Sequence, residues 1–296
     1  MSKDPDPFTV VIPAFDEEDS IEQTIDEIAK SIGKAAGFTI LVVNDGSNDG
    51  TGDILSSLQA SGEHPYLRVV THPRNLGYGA SLKTGIRSST TDLIAITDAD
   101  GTYPNHRMVE LVAAASEADM VVGARSASEG MTYSKIRRIP KIFLCNWVSW
   151  LAGRNVPDMN SGMRVFRKEV TVNFFRILPD SFSFTTTQTL CMHRNRYRVK
   201  YIPIGYNSRV GKSKIKPIRD TLRFTQLILR TGMYFAPLRC LAPVIFTLLC
   251  AFLVSLYYDI MILSNLTDKT VMLFLFSMNT SIFALLADMV DKRSSL

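Results

Sequence analysis

Five short apolar runs, separated by helical patterns, constrain the first 125 residues more than any other feature of this chain. Phe8-Thr9-Val10-Val11-Ile12 stops at Pro13, and Phe38 to Val43 stops at Asn44-Asp45-Gly46-Ser47. Leu67 to Thr71, Leu93 to Thr97 and Met120 to Val122 come next. Between them, Ser20 can cap a helix reaching about Lys34, with Ile21, Ile25, Ile28 and Ile32 on one face. Gly77 to Arg87 and Asn105 to Glu117 also carry helical patterns. Strands that alternate with helices predict an α/β fold with a mostly parallel sheet flanked by helices. Continuously apolar strands suit a sheet covered on both faces. Crossover connections return each parallel strand to the same edge, so the loops at the strand ends should collect on one rim.

The C-terminal quarter is of a different kind. Leu241 to Leu263 and Thr270 to Ala287 are long, apolar and almost uncharged. Each is near the ~20 residues that cross a bilayer core. The joining SNLTDK is short enough only for a hairpin, and Asp259 lies near the far end of the first stretch. Arg230 and Arg239 precede the pair, Lys292 and Arg293 come after it, and the loop holds only Lys269. The positive-inside rule then places both termini and the large N-terminal domain in the cytoplasm. The start, MSKDPDPFTVV, has no apolar signal segment. Cys145, Cys191, Cys240 and Cys250 have neither CxxC nor metal-ligand spacing and read as reduced thiols. The expected organisation is an α/β domain over 1–216, a juxtamembrane amphipathic helix over 217–240 and a two-helix transmembrane hairpin over 241–296.

The net charge of +5 conceals a division. Residues 1–119 hold 8 Lys/Arg against 19 Asp/Glu, a net of −11. Residues 120–240 hold 22 against 5, a net of +17, and the remainder 3 against 4. A basic block beside apolar spans suits anionic head groups and a phosphorylated ligand. Nucleic acid is disfavoured, because aromatics do not interleave with these charges as stacking platforms would. Lys135 to Leu151 combines Lys135, Arg137, Arg138 and Lys141 with Ile136, Ile139, Phe143, Trp147 and Trp150 at helical spacing. It reads as an interfacial amphipathic helix or as a surface helix docked on the sheet. Ile218 to Phe235, with Arg219, Arg223 and Arg230, is a second segment of this kind.

Asp98-Ala99-Asp100 closes the fourth strand. Two carboxylates one residue apart can clamp a hard divalent cation that also binds substrate phosphates. They share the rim with Pro13 to Glu18, with Asn44 to Gly50 and with Arg74-Asn75-Leu76-Gly77-Tyr78-Gly79. Together these describe a nucleotide pocket in which Asp45 could accept from a nucleobase N–H, and Gly77 and Gly79 would let a ligand approach the backbone closely. The glycine spacing is not that of a Walker A loop, and the last Gly of GxGxxG is missing. His64, His72, His106 and His193 form no spaced cluster and read as surface or turn residues. Asp158, in the DMNSG turn, is either a general base or a cap holding the Ser161-Gly162 turn, and Ser161 and Gln188 could line a sugar pocket.

In order, VVIPAFDEE, VVNDGSNDGT, RNLGYGASLKTG, TDADGTYP, VVGAR, DMNSGMRVF and IPIGYNSRVGKSK resemble the inverting GT-A glycosyltransferases that use polyprenyl phosphate. This is the family of dolichol-phosphate mannose synthase and its bacterial relatives acting on undecaprenyl phosphate. The resemblance runs from about Thr9 to Pro237 and implies a GT-A, Rossmann-like fold. It further implies that Pro13, Phe15, Glu17 and Asp45, with the Asp98-Ala99-Asp100 triplet, hold a nucleoside diphosphate sugar. Asp98 and Asp100 would bind Mg²⁺ or Mn²⁺ on its diphosphate. Arg125, Arg138 and Arg209 would hold the acceptor phosphate or the diphosphate, and Lys212, Ser213 and Lys214 would form the loop that closes the site. Asp16 stands where relatives often have Asn, Asn44 where they often have Asp, and Thr102 where some have Gln. A processive polysaccharide synthase, a sugar-1-phosphate nucleotidyltransferase and a membrane-anchored binding protein without turnover are the competing readings. A homo-oligomer is left open.

Overall fold

The computed structural model describes residues 6–33, 37–125, 145–207, 226, 229–230, 232–234 and 236–294. They divide into two compact units, Met1–Lys216 and Pro217–Leu296.

The first unit is built on a seven-stranded mixed sheet flanked by helices. Its strands are β1 (Phe8–Ala14), β2 (Phe38–Asn44), β3 (Leu67–Thr71), β4 (Leu93–Ile96), β5 (Met120–Arg125), β6 (Arg164–Arg167) and β7 (Val199–Ile204). The order is β3-β2-β1-β4-β6-β5-β7. β3, β2, β1 and β4 run parallel, with Val10 level with Ile40 on one side and Ala95 on the other. β5 and β7 are parallel to each other. β6 lies antiparallel between β4 and β5. Its short apolar pair, Val165-Phe166, is flanked by Arg164 and Arg167, so periodicity does not mark it as a strand. The antiparallel insertion keeps β5 in the same direction as β4, so both end at the same edge.

Helices α1 (Ile21–Ile32), α2 (Thr51–Ser61), α3 (Tyr78–Ser88) and α4 (Met108–Ala114) link the early strands. α1 buries Ile21, Ile25, Ile28 and Ile32 in the core, as their spacing predicts. It ends at Gly33, whose φ of +56° breaks the helix before the expected Lys34. Ser20 precedes α1 without capping it, because its hydroxyl turns back to Glu17 Oε2. The Glu17 carbonyl instead accepts from the Ser20 and Ile21 amides. The expected 105–117 helix is shorter, a 3₁₀ turn over Asn105–Arg107 that leads into α4. Further along are α5 (145–152), α6 (Lys168–Val172) and α7 (Phe184–Arg194). α5 is the described part of the expected amphipathic helix. It buries Val148 and Leu151 and exposes Trp150; residues 135–144 lie outside the described residues.

The second unit contains α8 (Pro237–Tyr258), continued by a wider turn over Asp259–Leu263, and α9 (Asp268–Ser294). Pro237–Leu263 and Asp268–Val290 are long and apolar enough to cross a membrane, with mean hydropathies of 2.3 and 1.8. Only 11% and 17% of their apolar windows are buried, unlike the core helices of a water-soluble fold. Phe246, Val254, Ile262, Phe276 and Leu286 are all exposed. The helices meet through Phe252 and Phe274, 5.3 Å between centroids, and through a 2.6 Å Ser255–Thr270 hydroxyl contact. Asp259 is buried, and its Oδ2 accepts from the Thr267 amide and hydroxyl, which closes the hairpin loop.

Candidate active site

Parallel pairing of β2, β1 and β4 sets their C-terminal ends side by side, so the three polar clusters at those ends share one rim. The clusters after β1 and β2 fasten to each other. The Asp16 amide donates to Ser47 Oγ (3.0 Å), and Asp16 Oδ1 accepts from the Asn48 amide (2.8 Å). The Glu17 amide donates to Thr51 Oγ1, and Glu18 Oε2 accepts from the Gly50 amide. Asp16 has a φ of +50°, a conformation that Asn and Asp tolerate best among residues with a Cβ. Exchange of one for the other therefore preserves this turn. Pro13, Phe15 and Glu17 are partly buried along the same stretch.

Asp45 is buried and heavily engaged. Its Oδ1 accepts from the Leu76 amide (2.9 Å) and meets His72 Nδ1 (2.7 Å), and its Oδ2 accepts from the Gly77 amide (2.8 Å). The imidazole's other nitrogen meets Thr84 Oγ1 at 2.9 Å. His72 is thus no surface residue, contrary to the sequence expectation. It is a buried clip that fixes Asp45, and Asp45 shapes the Leu76-Gly77 turn.

The start of α3 also differs from expectation. Gly77 and Gly79 do permit close approach, but the approaching group is the protein's own backbone. The Asp180 carbonyl accepts from the Gly79 and Ala80 amides at 3.0 and 3.3 Å. A Cβ on Gly77 would strike that carbonyl, and one on Gly79 the Pro179 carbonyl. The positive helix end is therefore satisfied internally. Lys83 Nζ adds an ion pair with Asp180 Oδ1 at 2.7 Å.

Beyond β4, Ala99 stands between Asp98 and Asp100 in the chain; its side chain enters the core and its carbonyl accepts from Thr24 Oγ1. Tyr78 Oη donates to Asp98 Oδ1 at 2.9 Å. Gly162 lies against the same carboxylate, where a Cβ would be 2.7 and 2.8 Å from its oxygens. Asp100 Oδ1 accepts from the Thr102 amide (3.2 Å) and hydroxyl (2.6 Å). Burial, then the charge of Asp98, push the Tyr78 phenol well above its ordinary pKa, so it stays a donor. Among the described residues no group of three or more His, Cys, Asp or Glu could hold an ion by itself. Two hard carboxylates on a rim fit a Mg²⁺ or Mn²⁺ whose remaining ligands come from a diphosphate.

Arg125, the last residue of β5, reaches the same edge. Asp158 holds it from two sides: Oδ2 accepts from Arg125 Nε (2.7 Å) and its amide (3.1 Å), and Oδ1 from Nη2 (2.9 Å). The Asn160 amide is a fourth donor to Asp158, at 3.1 Å. Arg125 also lies over the Tyr206 ring, 5.3 Å from its centroid. Burial opposes the guanidinium charge, but Tyr103 and Asp158 outweigh it and raise the pKa well above the ordinary value. Tyr103 ties the halves together. Its hydroxyl accepts from the Gly162 amide (2.6 Å), and its ring meets Tyr206 edge-on at 5.2 Å. Asp98, Arg125 and Asp158 are therefore linked through Gly162, Tyr103 and Tyr206, while Asp100 is held by Thr102. Arg138, Arg209, Lys212, Ser213 and Lys214 lie outside the described residues.

Two expected pocket residues are structural. Ser161 Oγ donates to the Gly123 carbonyl at 2.6 Å, and Gln188 is buried between Arg164 and Thr171. Arg164 itself is fully buried and donates to the Ser161 and Thr185 carbonyls and to Gln188 and Thr189. Burial lowers its pKa, while these acceptors take up its N–H groups. A single arginine beside an apolar pair was the available sequence signal for it.

Known proteins resemble this chain in sequence and in fold. The sequence model of glycosyl transferase family 2 matches residues 9–175. A dolichyl-phosphate beta-glucosyltransferase of Trichomonas vaginalis is 28% identical over 77% of this chain and 71% of its own length. An undecaprenyl-phosphate mannosyltransferase of Micrococcus luteus is 26% identical over 69% of this chain and 86% of its own. Among solved structures, glucosyl-3-phosphoglycerate synthase from Mycobacterium tuberculosis, crystallised with Mn²⁺, UDP and glucosyl-3-phosphoglycerate, superposes with a TM-score of 0.58. It covers 77% of this chain and 80% of its own at 18% identity, a likeness of fold. With a GT-A-like fold and more than half its length matched, the chain belongs to glycosyl transferase family 2.

Proposed function

We propose that this protein transfers one hexose from a nucleoside diphosphate sugar to a polyprenyl phosphate, with inversion, at the cytoplasmic face of a membrane. One observation carries the reading: a carboxylate pair suited to a diphosphate-bound cation and a braced guanidinium share one sheet edge, with Gly162, Tyr103 and Tyr206 between Asp98 and Arg125. The names of the relatives, both polyprenyl-phosphate sugar transferases, support the choice of acceptor.

The loops around Pro13, Phe15, Glu17 and Asp45 would receive base and ribose, with Asp45 acting partly through the turn it holds. Asp98 and Asp100 would hold Mg²⁺ or Mn²⁺, which when bound offsets charge on the leaving diphosphate. A phosphate monoester has a second pKa of ~6, so the acceptor arrives as a dianion and needs no general base. It needs orientation and partial neutralisation, which Arg125 can supply once aligned by Asp158 and Tyr206. With all four lone-pair directions of Asp158 facing donors, its role is to aim Arg125. Arg138, Arg209, Lys212, Ser213 and Lys214 would complete the acceptor site. Direct displacement at the anomeric carbon then inverts configuration. The two apolar helices would keep the site beside its lipid, which confines the acceptor to two dimensions.

The test is purified full-length protein in detergent with polyprenyl phosphate, Mn²⁺ and a panel of UDP- and GDP-sugars. The expected product is lipid phosphate carrying one sugar of inverted configuration, with a UDP-hexose the preferred donor and GDP-mannose next. Polymer growth, or donor binding with no lipid product, would overturn the proposal.

A further inference from the structure

We propose that Tyr78 is a positioning residue for the cation-binding carboxylate of Asp98, and that the Pro179–Phe182 segment braces it from behind; this rests on the assignment of Asp98 to the cation. Three observations converge on one side chain. The Tyr78 hydroxyl donates to Asp98 Oδ1 at 2.9 Å. The Tyr78 ring lies flat against Phe182, 5.3 Å between centroids and 17° between planes. The segment carrying Phe182 is pinned to the first turns of α3 through the Asp180 carbonyl and the Lys83–Asp180 ion pair.

Carboxylate orientation matters because a small hard cation demands near-ideal ligand directions. Asp98 stands two residues beyond β4, and the position of its backbone does not by itself set the direction of its carboxylate. The Gly162 backbone limits carboxylate rotation from one side. The phenol limits it from another and selects which oxygen faces outward. Tyr78 can do this only while its own ring is held, and stacking on Phe182 is what holds it. Phe182 is 71% exposed, and the Tyr78 ring covers one of its faces. Gly77 and Gly79 fit the same scheme, since side chains there would expel the 179–180 backbone and withdraw the brace. Hydrogen-bond partners behind metal ligands commonly govern affinity by 10-fold or more.

The experiment is Mn²⁺ titration of the full-length protein with saturating UDP, monitored by electron paramagnetic resonance, alongside thermal unfolding. Tyr78→Phe keeps the ring and the stack and removes only the hydroxyl. It should weaken Mn²⁺ binding about 10-fold without lowering the unfolding temperature. Phe182→Ala should weaken binding in the wild-type background and have no further effect in Tyr78→Phe, since it acts through the same hydroxyl. Unchanged Mn²⁺ affinity in Tyr78→Phe overturns the positioning role, and additive losses in the double variant overturn the brace. A wild-type protein that binds no Mn²⁺ overturns the cation assignment itself, a different result from an unaffected Tyr78→Phe.

Discussion

Asp158 shows how one residue's neighbours decide its chemistry. A carboxylate in a DMNSG turn could be a base or a clamp; two contacts from the Arg125 side chain and two from backbone amides favour the clamp. Asp158→Asn should therefore raise the KM for lipid phosphate more than it lowers kcat. A pure kcat loss with disappearance of the acidic limb of the pH profile would instead identify a base. Asp98→Asn and Asp100→Asn should each abolish cation-dependent transfer while the protein still folds and enters membranes; retained turnover would show that the charge sits elsewhere. His193 is a further buried histidine that spacing did not reveal, with Nε2 at 2.9 Å from Tyr201 Oη. Burial, and then Arg154, bring its pKa from an ordinary 6.5 to about 4. The folded protein keeps it neutral where an unfolded chain would take a proton. Stability is thus complete above about 6.5 and declines as pH falls towards 4. Thermal melts across that window should show the decline, and His193→Gln should flatten it.

Elements were more readable than contacts. The isoleucine stripe of α1 and the five apolar runs mark their elements because burial on one face, or on both, imposes a period on the sequence. β6 leaves no such mark, because four residues that begin and end in arginine carry no period. The pattern of α3 marks it as a helix, yet its glycines face the 179–180 backbone and not a ligand. A pair of glycines announces close approach without naming the partner, which here comes from about a hundred residues later in the chain. Gly79→Ala consequently does not enjoy the usual helix benefit of alanine. It should destabilise the protein by about 1–3 kcal/mol, an overpacking cost read by urea unfolding. A neutral or stabilising result would mean that the 179–180 backbone can move aside.

At the scale of the whole molecule, the charge division and the two apolar helices belong together. Residues 120–240 hold 22 Lys/Arg against 5 Asp/Glu, and in the chain they lead into two helices long and apolar enough to cross a membrane. A basic surface at a bilayer gains about 1 kcal/mol per Lys or Arg near anionic head groups, and salt screens it. Transfer activity in mixed micelles should rise with the fraction of anionic phospholipid and fall as ionic strength increases. Activity indifferent to both would place the basic block away from the lipid.

The sequence by itself determined the strand–helix alternation, the two membrane-length helices and the ordered motifs that mark the family, because periodicity, apolar length and local spacing are properties of neighbouring residues. Tertiary structure alone decided that Asp45 is clipped by His72, that α3 is plugged by Asp180, that Tyr78 holds Asp98, and that Tyr103 and Tyr206 lead from Gly162 beside Asp98 to Arg125. These partners lie tens of residues apart in the chain. Hydrogen bonds and ring contacts depend on distances of a few ångströms that only the closed sheet and its crossovers bring about.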